Sequence, residues 1–486
     1  MTKNSNSIII IGTGFAGIGM AIKLLKQGNT NFIIAERSAT IGGTWRDNTY
    51  PGAACDISSH LYSFSFEQNP NWSRMFANQQ EILEYTRHCV EKYGLAKYVR
   101  LNTEVTGGSF DESSGMWTLN LKDGGTLTSN IVINALGPLN RPQIPNIPGL
   151  DAFKGRVFHS SEWDHTFDYK GKKVAVVGTG ASAVQIVPAI AKDVEQLNIF
   201  QRSAPWVIPK ADRPMKDWER KMFRILPFTQ RMLRWKWYWE NELIGTLIFT
   251  RPRLNKYVQG MVVKFINKKI KDPALREKLI PDYTMGCKRI TPSKEYYPAL
   301  LRKNVDVVTS AINRVEGNTI FTADGNEYNA DAIVLATGFK AADAPVDFVV
   351  KGRGGRILAE DWKEGPEAYY GAAVTGYPNL FFLIGPNTGL GHNSMIFVIE
   401  SQVNYIMDAL KKLKQRKAKF MDVKPEVQKA YNDDIQEKLK RTVWATGCRS
   451  WYIAANGRNT TVWPGLTYTF WFQTRRIKTS AFEFVK

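Results

Sequence analysis

Four consecutive isoleucines, Ile8 to Ile11, run without a break into Gly12-Thr13-Gly14-Phe15-Ala16-Gly17. A short all-apolar run of this kind reads as a strand buried on both faces of a parallel sheet. Ile18 to Lys26 then reads as a helix and Ile33-Ile34-Ala35 as a second strand, closed by Glu36. The order strand, GxGxxG, helix, strand, acid constrains the fold more than any other feature, because it builds a dinucleotide cradle of the α/β class. Gly12 permits the tight turn, Gly14 lets backbone approach a pyrophosphate, and Gly17 lets the helix pack close on its strand. Phe15 and Ala16 open a helix whose free N–H groups and positive dipole end face the phosphates. Glu36 is placed to accept hydrogen bonds from a ribose diol.

The pattern occurs a second time. Lys173 to Val177 reads as a strand, followed by Gly178-Thr179-Gly180-Ala181-Ser182-Ala183, a helix to about Ala191, and a strand from Leu197 to Phe200 that runs into Gln201-Arg202-Ser203. Glu36 and Arg202 each lie 19 residues beyond the last small residue of their cradle. One structural slot thus holds an acid in the first unit and a cation in the second. An acid suits a free ribose diol, whereas an arginine suits a 2′-phosphate. The second site is therefore expected to hold NADPH, with Ser203 adding a hydroxyl donor. Two dinucleotide sites in one chain are explained together if NADPH passes hydride to a flavin.

The remaining composition narrows the field. At about 150 residues per domain, 486 residues make roughly three units. Apolar residues at 43% exclude a disordered chain, and a net charge of +20 favours anionic partners. No nucleic-acid motif accompanies that charge, so nucleic acid is not an expected partner. The four cysteines, Cys55, Cys89, Cys287 and Cys448, show no CxxC spacing, which points to a reducing compartment and no zinc site. His60, His88 and His392 have no metal-like spacing either. No apolar run reaches the roughly 18 residues of a membrane span. Met1 to Ser7 is polar and leads straight into the first strand, so a cytoplasmic location is expected.

Two longer stretches carry a resemblance. Gly43-Thr44-Trp45-Arg46-Asp47-Asn48-Thr49-Tyr50-Pro51-Gly52-Ala53-Ala54-Cys55-Asp56 resembles the GxWxxxx(F/Y)PGxxxD fingerprint of type I Baeyer–Villiger monooxygenases. Phe153 to Asp164, with His159 and Trp163, matches the FxGxxxHxxxW(P/D) fingerprint of the same family. The resemblance implies an α/β fold with two Rossmann-like domains, the first binding FAD and the second NADP, and a helical insertion in the NADP domain. It implies FAD domain segments at 1–144 and 372–486, NADP domain segments at 145–205 and 284–371, and the insertion at 206–283. Gly43, Thr44, Trp45, Asp56, Tyr62 and Val105 are expected to line the flavin pocket, and Gln185 to join the NADP contacts. Lys288-Arg289 resembles the family's KR pair, which implies that Lys288 helps hold the 2′-phosphate and Arg289 is the active-site arginine. Asp56 is expected to orient Arg289. His159 and Trp163 resemble a hinge between the domains. Trp451 resembles a residue on a mobile loop that covers NADP.

The implied reaction is NADPH- and O₂-dependent conversion of a ketone to an ester or lactone through a C4a-peroxyflavin, with sulfide oxidation as a side activity. A fixed guanidinium would stabilise the negative charge of such a reaction in a dry site. A heteroatom-hydroxylating flavin monooxygenase and an uncoupled NADPH oxidase share the cradles and are the alternatives. The chain is short for the family, and Gly389 to Asn393 and Ala454 to Asn459 differ from its ketone-oxidising members, so the substrate does not carry over. Met232 to Phe249 and Tyr257 to Ile270 read as amphipathic helices, rich in Trp, Arg and Lys. A core-and-lid role for them is preferred here over contact with an acidic membrane. A monomer or homodimer is expected.

Overall fold

The computed structural model describes residues 7–340, 348–447, 450, 452–454 and 456–486. Two five-stranded parallel sheets organise it. In the first, Ile8–Ile11 lies between Phe32–Ala35 and Ile131–Asn134, with Val99–Arg100 and Leu380–Phe382 at the edges. In the second, Lys173–Val177 lies between Gln196–Phe200 and Ala332–Leu335, with Val305–Val308 and Arg156–His159 outside them. Each cradle strand is therefore central, and Ile8–Ile11 and Ile131–Asn134 are buried throughout, as strands covered on both faces must be. The cradle helices are Phe15–Lys26 and Ala181–Ile190.

The chain re-enters the first domain earlier than expected. Val349–Lys351 pairs in parallel with Val105–Asp111, the first strand of an antiparallel meander that continues through Met116–Leu121 and Thr126–Ser129. The three-residue strand was too short to show a period in the sequence.

The outgoing and returning crossovers lie side by side. Pro142 pairs with Phe339, and Gly338 O accepts from Gln143 N at 2.8 Å. His159 is buried at this crossing. Its Nδ1 accepts from Ser161 N at 3.2 Å, so Nε2 carries the proton and donates to Gly338 O at 3.0 Å. Burial holds its pKa below the ordinary value, which keeps the ring neutral. His159 thereby ties its own strand end to the returning crossover at Gly338.

The insertion rises from a short parallel pairing of Val207–Ile208 with Thr291–Pro292. Its helices are Asp217–Ile225, Pro227–Thr250, Pro252–Lys269 and Pro273–Leu279. Three begin at a proline, whose missing N–H costs nothing in the first turn, and this sets their starts ahead of the apolar pattern. The long helix Pro227–Thr250 grips the first domain through polar side chains. Arg234 Nη1 donates to the carbonyls of His60, Leu61 and Ser63 at 2.9, 3.0 and 2.9 Å. Glu242 accepts from Asn393 Nδ2 at 2.7 Å and from Thr467 N at 3.0 Å. The core part of the core-and-lid expectation therefore holds for one face. The other face departs from it, because Trp235 and Trp239 stand in solvent.

Cys55 and Cys89 are buried free thiols, whereas Cys287 is disulfide-bonded, unlike the all-thiol expectation. Among the described residues no group of three or more His, Cys, Asp or Glu is arranged to hold a metal, and no helix is long and apolar enough to cross a membrane.

Candidate active site

The two cradles are built by the same backbone device. Gly12 has φ of +106°, and a Cβ there would stand 2.9 Å from Ala135 O. Gly178 has φ of +117°, and a Cβ there would stand 2.3 Å from Ala336 O. A side chain is excluded at both turns by conformation and by the neighbouring strand. Gly17 packs its helix on the strand so closely that a Cβ would meet Gly12 O at 2.0 Å. By contrast, nothing lies within 4 Å of a Cβ built at Gly180, so space opens beside the second helix N-terminus. These are the features a pyrophosphate needs, and both cradles fit a dinucleotide.

A cleft leads from the first cradle into the molecule. It is lined by Gly12, Gly14, Phe15, Ala16, Glu36, Gly43, Thr44, Trp45, Tyr62, Val105 and Arg289, each singled out from the sequence. Gly42 and Gly43 both have positive φ and carry the chain past Gly14, where a Cβ on Gly43 would come within 3.0 Å of Gly14 Cα. Trp45 Nε1 donates to Tyr62 Oη at 3.2 Å, and Tyr62 meets Phe15 edge-on with ring centroids 5.4 Å apart. An aromatic wall thus runs from the cradle towards Arg289, which suits a flat ring system.

Glu36 is already occupied. Oε2 accepts from Thr13 N at 3.0 Å and Thr13 Oγ1 at 2.5 Å, and Oε1 accepts from Ser38 N at 3.0 Å and Arg46 Nη1 at 2.9 Å. Burial works to raise its pKa, but the hydrogen bonds from Thr13 and Ser38 and the charge of Arg46 outweigh it and hold the carboxyl below the usual range. A carboxylate has about four acceptor sites, so a ribose diol must replace one of these donors. Sequence reasoning missed Arg46 and Thr13 as partners of Glu36, although both sit inside the quoted motifs.

The inner end of the cleft holds the ion pair. Arg289 Nη2 and Nε lie 2.6 and 2.9 Å from Asp56 Oδ2. The Asp56 charge raises the arginine's pKa against the opposing effect of burial, so Arg289 stays cationic. Lys210, which the sequence did not single out, donates to Cys55 O at 2.9 Å beside it, and burial lowers its pKa. A lone lysine between Pro209 and Ala211 carries no signal for that role. Leu390, Met395, Tyr452 and Thr461 also face the cleft and come from the segments that differ from the family pattern or adjoin them. Ile384, a β-branched residue at φ of +58°, lines it as well, held by Gln402 Oε1, which accepts from Ile384 N at 2.8 Å.

The second cradle ends in a cationic group. Lys288 Nζ donates to Ser203 Oγ at 2.8 Å, and Thr179 Oγ1 donates to Ser203 O at 3.2 Å. Burial lowers the Lys288 pKa, Asp282 opposes this, and the nearby Arg202 charge adds to it. Arg202, Ser203 and Lys288 thus converge from separate segments, as a site for a phosphate requires. Ser182 and Gln185 bond to the Tyr50–Ala54 loop. Tyr50 Oη donates to Gln185 Oε1 at 2.9 Å, Gln185 Nε2 donates to Ala54 O at 2.9 Å, and Ser182 also hydrogen-bonds Tyr50. Gln185 fastens the second cradle helix to the Tyr50–Ala54 loop. Ala181 and Ala183 lie in the first turn of that helix, with Ala183 fully buried. Trp451 lies outside the described residues.

Known proteins share this arrangement. The model of the flavin-binding monooxygenase-like family matches residues 5–351. A Baeyer–Villiger monooxygenase of Pseudomonas aeruginosa is 49% identical over 98% of this chain and 91% of its own length. One from Streptomyces coelicolor is 47% identical over 99% of this chain and 92% of its own. Among solved structures, an oxidised steroid monooxygenase bound to NADP superposes with a TM-score of 0.87 at 30% identity, covering 99% of this chain and 100% of that one. A cyclohexanone monooxygenase from Rhodococcus bound to NADP⁺ gives a TM-score of 0.89 at 25% identity, with 99% of both chains covered.

Proposed function

The chain belongs to the flavin-binding monooxygenase-like family and, within it, to the FAD- and NADPH-dependent Baeyer–Villiger monooxygenases, and from that premise we propose how its own residues divide the work. The substrate is a ketone and the product an ester or lactone, with sulfides oxidised as a secondary activity. The net reaction consumes ketone, O₂, NADPH and a proton and yields ester, NADP⁺ and water. One oxygen atom enters between the carbonyl carbon and its neighbour, and the other leaves as water.

FAD, held by the first cradle and the Trp45–Tyr62 wall, would supply the hydride-accepting and oxygen-transferring chemistry. The first cradle binds its diphosphate through the helix N-terminus, and Glu36 exchanges a protein donor for the adenosine ribose. The second cradle, with Arg202, Ser203 and Lys288, selects the 2′-phosphate of NADPH. Phe15, Trp45 and Tyr62 exclude water along the cleft. Arg289 stabilises the negative charge that develops as the carbonyl is attacked, and it needs no reorganisation because Asp56 already holds it. Tyr452, Leu390 and Met395 shape the substrate end of the cleft. The enzyme acts in the cytoplasm.

The Asp56–Arg289 pair at the inner end of the flavin cleft is the observation that carries this reading. The test is to incubate FAD-loaded protein with NADPH, ¹⁸O₂ and a panel of ketones, amines and sulfides and to analyse products by mass spectrometry. Ester carrying one ¹⁸O atom is the expected result. Oxidised amines or sulfides with no ester from any ketone would favour heteroatom hydroxylation, and hydrogen peroxide alone would favour an oxidase.

A further inference from the structure

The helix Pro227–Thr250 is inside out. Its buried face carries Gln230, Arg234, Tyr238 and Glu242, a mainly polar row at four-residue spacing. Its outer face carries Phe228, Met232, Trp235, Trp239 and Leu243, each more than half exposed. Their spacing of four, three, four and four places them on one stripe. A helix at the surface of a globular protein turns such a stripe inward. Here the inward side is committed to the polar grip on His60, Leu61, Ser63, Asn393 and Thr467 described above.

The stripe continues onto a second element. The helix Thr467–Thr474 exposes Tyr468, Trp471 and Phe472, and Tyr468 meets Trp239 with ring centroids 6.2 Å apart. Cations border the patch. Arg231 and Lys236 are exposed on the long helix, and the Arg475 guanidinium stands 4.9 Å over the Trp471 ring. Scattered exposed apolar residues are ordinary, but a continuous apolar stripe marks a surface that something covers.

We propose that this face docks on a bilayer rich in anionic lipid, with the apolar stripe entering the headgroup boundary and the arginines and lysines pairing with phosphates. Three observations choose lipid as the occupant. Tryptophan and tyrosine interleaved with basic residues are what the membrane–water interface selects. The chain's net charge of +20 complements an anionic surface, whereas a second copy would set these cations against their equals across a two-fold interface. No described helix can cross a membrane, so the contact lies in the interface plane. In the last turn of the same helix, Ile248 and Phe249 lie against Gly286, and Phe249 also lies against Gly391, next to the cleft residue Leu390. An apolar substrate dissolved in the bilayer would therefore be held close to the site.

The test is flotation of the FAD-loaded enzyme with vesicles of phosphatidylcholine alone and of phosphatidylcholine mixed with phosphatidylglycerol in equal parts. Binding to the mixed vesicles at low salt, and weak binding to phosphatidylcholine alone, is expected. The double variant Trp235→Ser/Trp239→Ser should lower partitioning about tenfold or more while keeping its flavin and its NADPH oxidation with a soluble ketone. Brominated lipid should quench the fluorescence of the wild type more than that of the variant. Absence of flotation with mixed vesicles, or flotation of the variant equal to that of the wild type, would overturn the proposal. So would light scattering showing a dimer that the double variant converts to a monomer, since the face would then belong to a second copy.

Discussion

Arg289 reaches across 233 residues of chain to Asp56, with Nη2 at 2.6 Å and Nε at 2.9 Å from one carboxylate oxygen. The other carboxylate oxygen takes no share of those two bonds, so the guanidinium is held at one edge while its side chain lines the cleft. Replacing Arg289 with alanine should lower ester formation about 10²–10³-fold, the usual loss when a preorganised donor to developing charge is removed. Lysine should not restore it, because a point charge cannot make the same paired contact. Anaerobic reduction of the flavin by NADPH should be largely kept. Equal loss of reduction and oxygenation would show that the arginine serves cofactor binding instead.

Lys288 Nζ donates to Ser203 Oγ, and the charge of Arg202, one residue before Ser203, acts to lower the Lys288 pKa. Changing either to alanine should reduce kcat/KM for NADPH about 10- to 100-fold through KM, because charge-assisted phosphate contacts are lost. The value for NADH, which lacks the 2′-phosphate, should hardly change. Steady-state kinetics with both nucleotides checks this, and a parallel fall for NADH would place the two cations outside the 2′-phosphate site.

Gly52 has φ of +81°, and a Cβ there would lie 2.7 Å from Gln185 O. The Tyr50–Ala54 loop of the first domain rests on the second cradle helix at this point. Gly52→Ala should cost about 1–3 kcal/mol from overpacking and strain. It should slow hydride transfer in anaerobic stopped flow more than it lowers FAD content, because it shifts the two cradles relative to each other. Gln185→Ala should produce the same pattern more weakly.

His60 predicts an acid limb in stability. Its Nδ1 accepts from Gln230 Nε2 at 3.0 Å, which joins the insertion to the first domain, and burial lowers its pKa from 6.5 to about 4, with Glu219 opposing and Arg234 and Arg213 assisting. Between those values the unfolded chain binds a proton that the folded protein refuses, so stability rises with pH across that window and is lost as pH falls from 6.5 towards 4. The full effect is about 3 kcal/mol. Thermal midpoints measured from pH 4 to 7 should show it, and His60→Asn, which keeps an acceptor but does not titrate, should flatten that limb.

The cradles could be read from sequence because they are local backbone devices. Gly12 and Gly178 need a positive φ and Gly17 a close approach within one strand–turn–helix unit, and Glu36 and Arg202 follow at a fixed distance, although the carbonyls of Ala135 and Ala336 that also crowd Gly12 and Gly178 come from distant strands. The two cradle strands and the strands that follow them were legible for a similar reason, since a sheet covered on both faces demands unbroken apolar runs. Asp56, Lys288 and Arg289 could be named only through resemblance, because no spacing links residues that meet through tertiary packing. Arg46 shows the reverse case, where the right segment was found but its partner Glu36 was not.

By itself the sequence determined two nucleotide-binding units, their order and the charge that distinguishes them, because chirality, close approach and helix dipoles act over a few residues. The tertiary structure alone decided that Arg289 meets Asp56, that Val349–Lys351 rejoins the first domain, and that the long insertion helix turns its aromatic side outward. A hydrophobic period states that a helix has two faces. Which one faces inward depends on the partners waiting there, and here the carbonyls of His60, Leu61 and Ser63 required Arg234.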